Sequence, residues 1–245
     1  LRPLPGLLLT ALISLPWYVL ELLVEGQPFW DSFFGYHNLQ RFTSVVNDHL
    51  QPWWFFGPVM LVAALPFTPY LLIGLARVPR SRIAPEHSLH QFAACWLLAV
   101  LLLFTTAATK LPSYWLPATP AAALLVAQAT VGSSRWQRMA WATCLALIAV
   151  LAAGFWLGSL WVPLIEDPEM PTLSVDLLAS GLLKWAAVWF SAAAVLGAGL
   201  LLQRRAAAQA LLAMQGCLLG FHLTALVPIA ELADRLRQQP VRDAA

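Results

Sequence analysis

Charged residues are scarce in this chain of 245 residues: Asp, Glu, Lys and Arg together make up only 11% of it. Soluble domains carry roughly 25% charged residues. A chain that is 60% hydrophobic, with a mean hydropathy of +0.71, is therefore not an ordinary soluble domain. The formal net charge of +2 is too small to indicate a nucleic-acid-binding protein. We expect most of the chain to lie in lipid.

Cysteine pairs and catalytic motifs are also lacking. The three cysteines, Cys95, Cys144 and Cys217, fall inside apolar segments without CxxC spacing, which predicts small buried side chains. The sequence contains no glycine-rich phosphate loop, no HExxH zinc motif and no GxSxG elbow. It begins with Leu1 and has no visible signal peptide, so we expect it to be a piece of a longer protein.

Long apolar segments are abundant, and about 20 such residues span a bilayer. We predict an all-α, polytopic transmembrane bundle with about seven spanning helices and one amphipathic juxtamembrane helix on the outer face. The membrane domain is predicted over residues 1–229, with the juxtamembrane insert at 27–52, and residues 230–245 would begin an extracytoplasmic tail or domain. The predicted spans are roughly 5–24, 54–76, 91–109, 113–131, 139–161, 178–202 and 207–229.

Arginines cluster on one side of the predicted spans, whereas most acidic residues fall on the other side. Cytoplasmic loops carry an excess of Lys and Arg, so the arginine-rich side is predicted to be cytoplasmic. The N-terminus would then be cytoplasmic and the C-terminus outside, with the insert, the turn at 109–113 and the acidic loop at 162–177 on the outer side. The arginines on the cytoplasmic side are Arg2, Arg77, Arg80, Arg82, Arg135, Arg138, Arg204 and Arg205.

The polar insert between the first two spans has two opposed faces if it is helical. At about 100° per residue, His37, Arg41, Ser44 and Asp48 share one stripe. Such a helix would lie along the membrane surface and present its polar groups to an anionic substrate. The alternative is an interfacial helix that serves only as an anchor. The opposite, apolar stripe contains Leu39, Phe42, Val46 and Leu50.

A lysine occupies the tightest predicted outer turn, within the segment Thr109-Lys110-Leu111-Pro112-Ser113-Tyr114. Further prolines follow, and helices broken by proline tend to line cavities rather than face lipid. Lys110 could bind a phosphate, and Tyr114 could hydrogen-bond it. The alternative is a snorkelling lysine beside a boundary tyrosine. The weaker candidates are Lys184, read as snorkelling, His222, read as buried and hydrogen-bonded, and the acidic residues at 166–169, read as solvated.

Two motifs on the predicted outer face resemble those of one family. FFGYHNLQRF followed by an Asp-His pair and PWWFFGP, and the turn KLPSYWLP, are similar to motifs of bacterial membrane glycosyltransferases. These are the relatives of the lipid A aminoarabinose transferase and of the protein mannosyltransferases. The resemblance implies transfer of a sugar from an undecaprenyl-phosphate donor to a lipid or protein acceptor, at the periplasmic face of the bacterial inner membrane. A non-enzymatic carrier or flippase for a lipid-linked sugar remains an alternative, as does a membrane scaffold.

The same resemblance implies roles for individual residues. His37 corresponds to the family's ligand for a divalent metal ion of unspecified identity, and Arg41 to part of its donor-phosphate site. Lys110 and Tyr114 would close that site from the neighbouring turn. The family's catalytic carboxylate lies in the first outer loop of a longer membrane domain. We therefore expect no catalytic residue in this chain, which would be the C-terminal half of that domain and inactive alone.

Overall fold

The computed structural model describes residues 3–45, 50–78, 88–131, 134–202 and 207–243. These residues form helices and turns without a β-strand among them, so the predicted all-α fold class is confirmed. A helix satisfies its own backbone hydrogen bonds and can therefore lie in lipid. The main helices are α1 (Pro3–Val24), α2 (Phe56–Ala63), α3 (Thr68–Arg77), α4 (Ser88–Thr106), α5 (Thr119–Ala129), α6 (Arg135–Trp156), α7 (Leu173–Ser180), α8 (Leu182–Leu202), α9 (Ala207–Phe221) and α10 (Val227–Asp243).

Five helical segments in the described part of the chain are long and apolar enough to cross a membrane, which agrees with a multi-pass membrane protein. A sixth crossing results if α2 and α3, which form a bent pair, count as one span. The fourth predicted span, 113–131, is not one continuous α-helix but a 3-10 segment at Pro112–Ala118 followed by the 11-residue α5. Its prolines remove backbone donors that a continuous helix would need. The five segments are Leu4–Val24, Ser88–Thr106, Arg135–Trp156, Leu182–Gly199 and Gln209–Gln238.

The insert is helical over a shorter range than its predicted stripes, which extended to Leu50. The insert helix, as we call it, is α-helical at Gln27–Phe29, π-helical at Trp30–Gln40 and α-helical again at Arg41–Thr43. It stops at Ser44, which is extended, with φ −136° and ψ 157°. Hydroxyl side chains compete for backbone acceptors, and the Ser44 hydroxyl and amide both donate to the Gln40 carbonyl at 2.8 Å.

The insert helix therefore contains only part of the predicted polar and apolar stripes. Ser44 and Leu50 lie outside the helix, and Val46, Asp48 and His49 fall outside the described residues. The remaining apolar side chains, Leu39 and Phe42, are 65% and 42% exposed, as expected of a face that meets lipid.

One compact unit comprises Leu1–Ala63 and Cys95–Pro120. Within it, aromatic rings join α1 to the insert helix. Trp17 lies edge-on to Phe29, with ring centroids 5.8 Å apart, and Tyr18 lies 5.6 Å from Phe33. Gly26, at φ 65°, permits the backbone conformation that joins the two helices. Cys95 also belongs to this unit and is exposed, contrary to the prediction that all three cysteines are buried.

The second compact unit comprises Ala64–Ala94 and Ala121–Ala245. Residues of α6, α8 and α9 form its core, and Cys144 and Cys217 are buried there, as predicted. Helix α9 continues through the π-helical segment His222–Leu226 into α10. The helix thus runs past residue 229, and the end of the membrane domain stays a prediction. The core residues include Trp141, Cys144, Ile148, Phe190, Ala193, Met214 and Cys217.

Of the weaker predicted candidates in this unit, only His222 differs from expectation. His222 is hydrogen-bonded as predicted, with Nδ1 2.7 Å from the Leu218 carbonyl, but its side chain is exposed rather than buried. In the acidic loop, Glu169 pairs with Arg237 of α10 at 3.3 Å. That carboxylate is therefore an ion-pair partner as well as a solvated group.

Candidate functional site

The predicted site residues all fall in the first unit, where the insert helix ends beside the turn that follows α4. The Ala108 amide donates to the Phe42 carbonyl at 2.9 Å, and the Thr109 amide donates to the Arg41 carbonyl at 3.1 Å. The last carbonyls of a helix lack donors within the helix. The turn after α4 supplies those donors and thereby holds the end of the insert helix in place.

Thr109 contacts both sides of this junction through its backbone and its side chain. Its hydroxyl donates to the Ser44 carbonyl at 2.9 Å, and its backbone forms an antiparallel bridge with Leu50. The residue is 1% exposed. The sequence motif contained Thr109, but no spacing rule assigned it a role. Only contacts between distant segments reveal its position.

Lys110 is a buried cation. Its side chain is 8% exposed, and Nζ donates to the Ala107 carbonyl at 2.7 Å. No described carboxylate forms an ion pair with it. An ammonium has three donors, and a buried charge without a counterion is costly. Snorkelling would bring the ammonium to water, so this burial favours the prediction of an anion ligand.

Arg41 supplies a second cation at the same junction. Its guanidinium carbon Cζ lies 5.8 Å from the centre of the Tyr36 ring, which is within the range of a cation–π contact. Its Nε is buried and has no hydrogen-bond partner. A guanidinium with an unused buried donor matches the geometry of a phosphate or carboxylate ligand.

Tyr114 and His37 flank the two cations along the chain. Tyr114 follows Lys110 in the 3-10 segment, and its ring stacks on Phe104 with centroids 4.8 Å apart. His37 lies four residues before Arg41 and is exposed, with its ring edge-on to Tyr36 at 5.0 Å. The structure thus brings the Arg41 and Lys110 segments into hydrogen-bonding contact, with the other two residues nearby in sequence.

The described residues do not complete a metal site. They contain no group of three His, Cys, Asp or Glu side chains that could hold a metal ion. Protein zinc sites commonly use at least three protein ligands. His37 alone does not meet that requirement, so its predicted role as a metal ligand stays a prediction.

Comparison with known proteins gives matches over most of the chain. No family model matches it. It is 33% identical, over an alignment of 193 residues that covers 75% of the chain, to the undecaprenyl phosphate-alpha-4-amino-4-deoxy-L-arabinose arabinosyl transferase of Erwinia tasmaniensis. The identity is 32%, over an alignment of 194 residues that covers 74% of the chain, to transferase 1 of that name from Sodalis glossinidius. Each match covers 34% of the relative, so the chain spans about a third of the length of these curated relatives.

A solved structure supports the fold. The crystal structure of ArnT from Cupriavidus metallidurans bound to undecaprenyl phosphate matches 90% of this chain and 38% of that chain, with a TM-score of 0.66 and 23% identity. The polytopic helical fold is therefore shared. The relatives matched in sequence share one common name. The chain belongs to the family of the bacterial undecaprenyl phosphate-aminoarabinose arabinosyl transferases.

Proposed function

We propose that this chain forms the donor-phosphate-binding part of a membrane glycosyltransferase. The enzyme would move a sugar from an undecaprenyl-phosphate donor to a lipid or protein acceptor at the periplasmic face of the bacterial inner membrane. The names of the relatives support the reaction class. The observation that carries the proposal is Lys110, a buried ammonium without a carboxylate partner among the described residues. Hydrogen bonds join its turn to the Arg41 backbone.

The chemistry of sugar transfer needs positive charge at the donor phosphate. When the bond between the sugar and the phosphate oxygen breaks, its electron pair stays on that oxygen. Fixed cations in a site of low dielectric stabilise such a developing charge. The Lys110 ammonium and the Arg41 fork would bind the phosphate oxygens, and the Tyr114 hydroxyl would donate a further hydrogen bond. The acceptor oxygen forms the new bond to the sugar. The base that takes the acceptor's proton is expected outside this chain.

We also propose that His37 contributes one ligand to a divalent metal ion. The exposed imidazole, four residues before Arg41, supports this role. Because the described residues contain no group of three suitable side chains, at least one further ligand would come from outside them. Our proposal for the reaction does not depend on the metal.

The proposed orientation has the N-terminus in the cytoplasm and the C-terminus in the periplasm. The concentration of arginines on one side of the spans supports it. The junction of Arg41 and Lys110 would then lie on the periplasmic side, where a lipid-linked donor is used.

Substitution of Lys110 tests the proposed function. In the intact protein, Lys110→Gln should lower the transfer rate from the undecaprenyl-phosphate sugar and weaken donor binding by about tenfold to a hundredfold. A hydrogen bond to a charged group contributes about 1.5–3 kcal/mol, and 1.4 kcal/mol is a factor of ten. The measurements are product formation and equilibrium binding of undecaprenyl phosphate in detergent.

Lys184→Gln is the matched control, because it removes the same charge from an exposed lysine of α8 in the other unit. It should leave binding and transfer within about twofold of the unmodified protein, since surface charges contribute little. Unchanged binding by the Lys110 variant would refute the phosphate site. Binding and translocation of the donor without any sugar transfer in the intact protein would favour the carrier alternative.

A further inference from the structure

Thr109 is hydrogen-bonded to the backbone of Arg41 and directly precedes Lys110, but bears no charge itself. Its amide contacts the carbonyl of Arg41, and its hydroxyl contacts the carbonyl of Ser44, where the insert helix has just ended. It is also the residue before Lys110. One buried residue therefore fixes the backbone positions from which both cationic side chains extend.

We propose that Thr109 is a positioning residue that holds Arg41 and Lys110 in register, so that both can bind the same lipid-linked phosphate. This inference rests on the proposed function. Arginine and lysine side chains are long and lose considerable entropy when they are fixed. Two such side chains bind one anion well only if their backbones are already held at the right spacing, which is the effect of preorganisation.

The hydroxyl of Thr109 is the part of the residue that this role requires. The backbone amides of Thr109 and Ala108 donate hydrogen bonds to the carbonyls of Arg41 and Phe42, and these bonds survive a side-chain substitution. The hydrogen bond from Thr109 Oγ1 to the Ser44 carbonyl is lost when the hydroxyl is removed. That bond holds Ser44, the first residue after the insert helix, in place. Ser44 has an extended backbone, so no helical hydrogen bond would replace the lost contact at its carbonyl.

Thr109→Val tests the inference, because it keeps the shape and β-branching of threonine but removes the hydroxyl. In the intact protein we expect undecaprenyl phosphate to bind about fivefold to tenfold more weakly and the donor KM to rise by a similar factor. These factors correspond to the net contribution of one hydrogen bond. Thr109→Ser keeps the hydroxyl and should stay within about twofold of the unmodified protein. Binding can be followed by tryptophan fluorescence in detergent, with thermal unfolding measured on each variant.

The outcomes separate this inference from the proposed function when Lys110→Gln is measured in the same assay. If Lys110→Gln weakens binding and Thr109→Val does not, Thr109 only stabilises the fold and the positioning role is wrong. If Lys110→Gln itself leaves binding unchanged, the phosphate site is wrong. If Thr109→Val does not fold, Thr109→Ala removes the same hydroxyl without the buried methyl groups. Normal binding by the folded alanine variant would equally overturn the inference.

Discussion

Burial separates the candidate side chains at the scale of single residues. Lys110 is almost fully buried, whereas His37 is exposed, although the sequence predicts both for the same site. A buried ammonium needs an anion close to it, because water cannot solvate it fully. An exposed imidazole is solvated in any case, and a ligand for it must come from elsewhere. The burial of Lys110 therefore supports its role as an anion ligand, whereas the exposure of His37 gives no comparable support for a metal-ligand role.

Replacing His37 tests its proposed role as a metal ligand. His37→Ala should lower the amount of divalent metal that copurifies with the intact protein by at least half, because a site that loses a ligand binds its metal more weakly. His222→Ala is the control, since His222 is also an exposed histidine but lies in the other unit. The measurement is the metal content by mass spectrometry. Equal metal content in the two variants would exclude His37 as a ligand.

At this scale the sequence offered candidate residues but not their contacts. The types and spacing of Arg41, Lys110 and Tyr114 suggested a phosphate site beside the alternatives of an anchor helix and a snorkelling lysine, and the phosphate site stays a prediction. The sequence contains no signal for the hydrogen bonds of Thr109, because they join segments about 65 residues apart in the chain. Pairing between distant segments depends on packing, which one sequence does not display.

At the scale of helices, the positions were predicted better than the ends. The sequence placed a helix in the insert, with predicted stripes as far as Leu50, whereas the insert helix ends at Thr43. Thr43 and Ser44 bond back to the carbonyls of Leu39 and Gln40, which are acceptors four residues earlier. Such side-chain bonds offer an alternative to further helical turns. A prediction from hydrophobic periodicity alone takes no account of side-chain hydroxyls that compete for the backbone carbonyls and end the helix.

Close packing of α8 against α9 in the second unit allows a test of helix packing. A Cβ atom on Gly220 would lie 2.6 Å from the Trp189 ring, whose Nε1 donates to the Thr224 hydroxyl at 2.8 Å. Gly220→Ala should therefore move the indole and lower the thermal unfolding temperature in detergent by several degrees. Overpacking of this kind costs about 1–3 kcal/mol.

Gly216→Ala in the same helix is the matched control for this substitution. Beyond the adjacent turns of its own helix, no heavy atom of the described residues lies within 4 Å of a Cβ built at Gly216. Alanine is a better helix former than glycine by about 0.8–1.0 kcal/mol. The Gly216 variant should be as stable as the unmodified protein or slightly more stable. Equal unfolding temperatures for the two alanine variants would show that Trp189 adjusts without cost.

At the scale of the whole molecule, composition predicted the all-α polytopic fold class correctly. The described residues contain five candidate spans, or six if the bent pair counts as one, where about seven were predicted. The predicted spans at 54–76 and 113–131 are the two that differ, and both contain prolines. Hydropathy averages over a window and does not register where a proline interrupts the helix. The family resemblance is confirmed by relatives that match 75% and 74% of the chain.

Thiol labelling tests the proposed orientation of the molecule. Ser113 and Ser134 are exposed and flank opposite ends of the segment that contains α5. In a Cys95→Ala background, Ser113→Cys should react with a membrane-impermeant maleimide in spheroplasts. Ser134→Cys should react only after the inner membrane is permeabilised. The reverse pattern would invert the orientation.

The two cations at the Arg41–Lys110 junction have a consequence for turnover under the proposed function. The sugar donor is a phosphodiester with a single negative charge, whereas the carrier released after transfer is a phosphomonoester with about −1.5 to −2 charge at pH 7. Paired positive charges bind the more highly charged ion more tightly. The site would therefore retain its spent carrier longer than it retains fresh donor. Departure of the bare lipid phosphate, rather than cleavage of the glycosidic bond, would then limit the speed of each cycle.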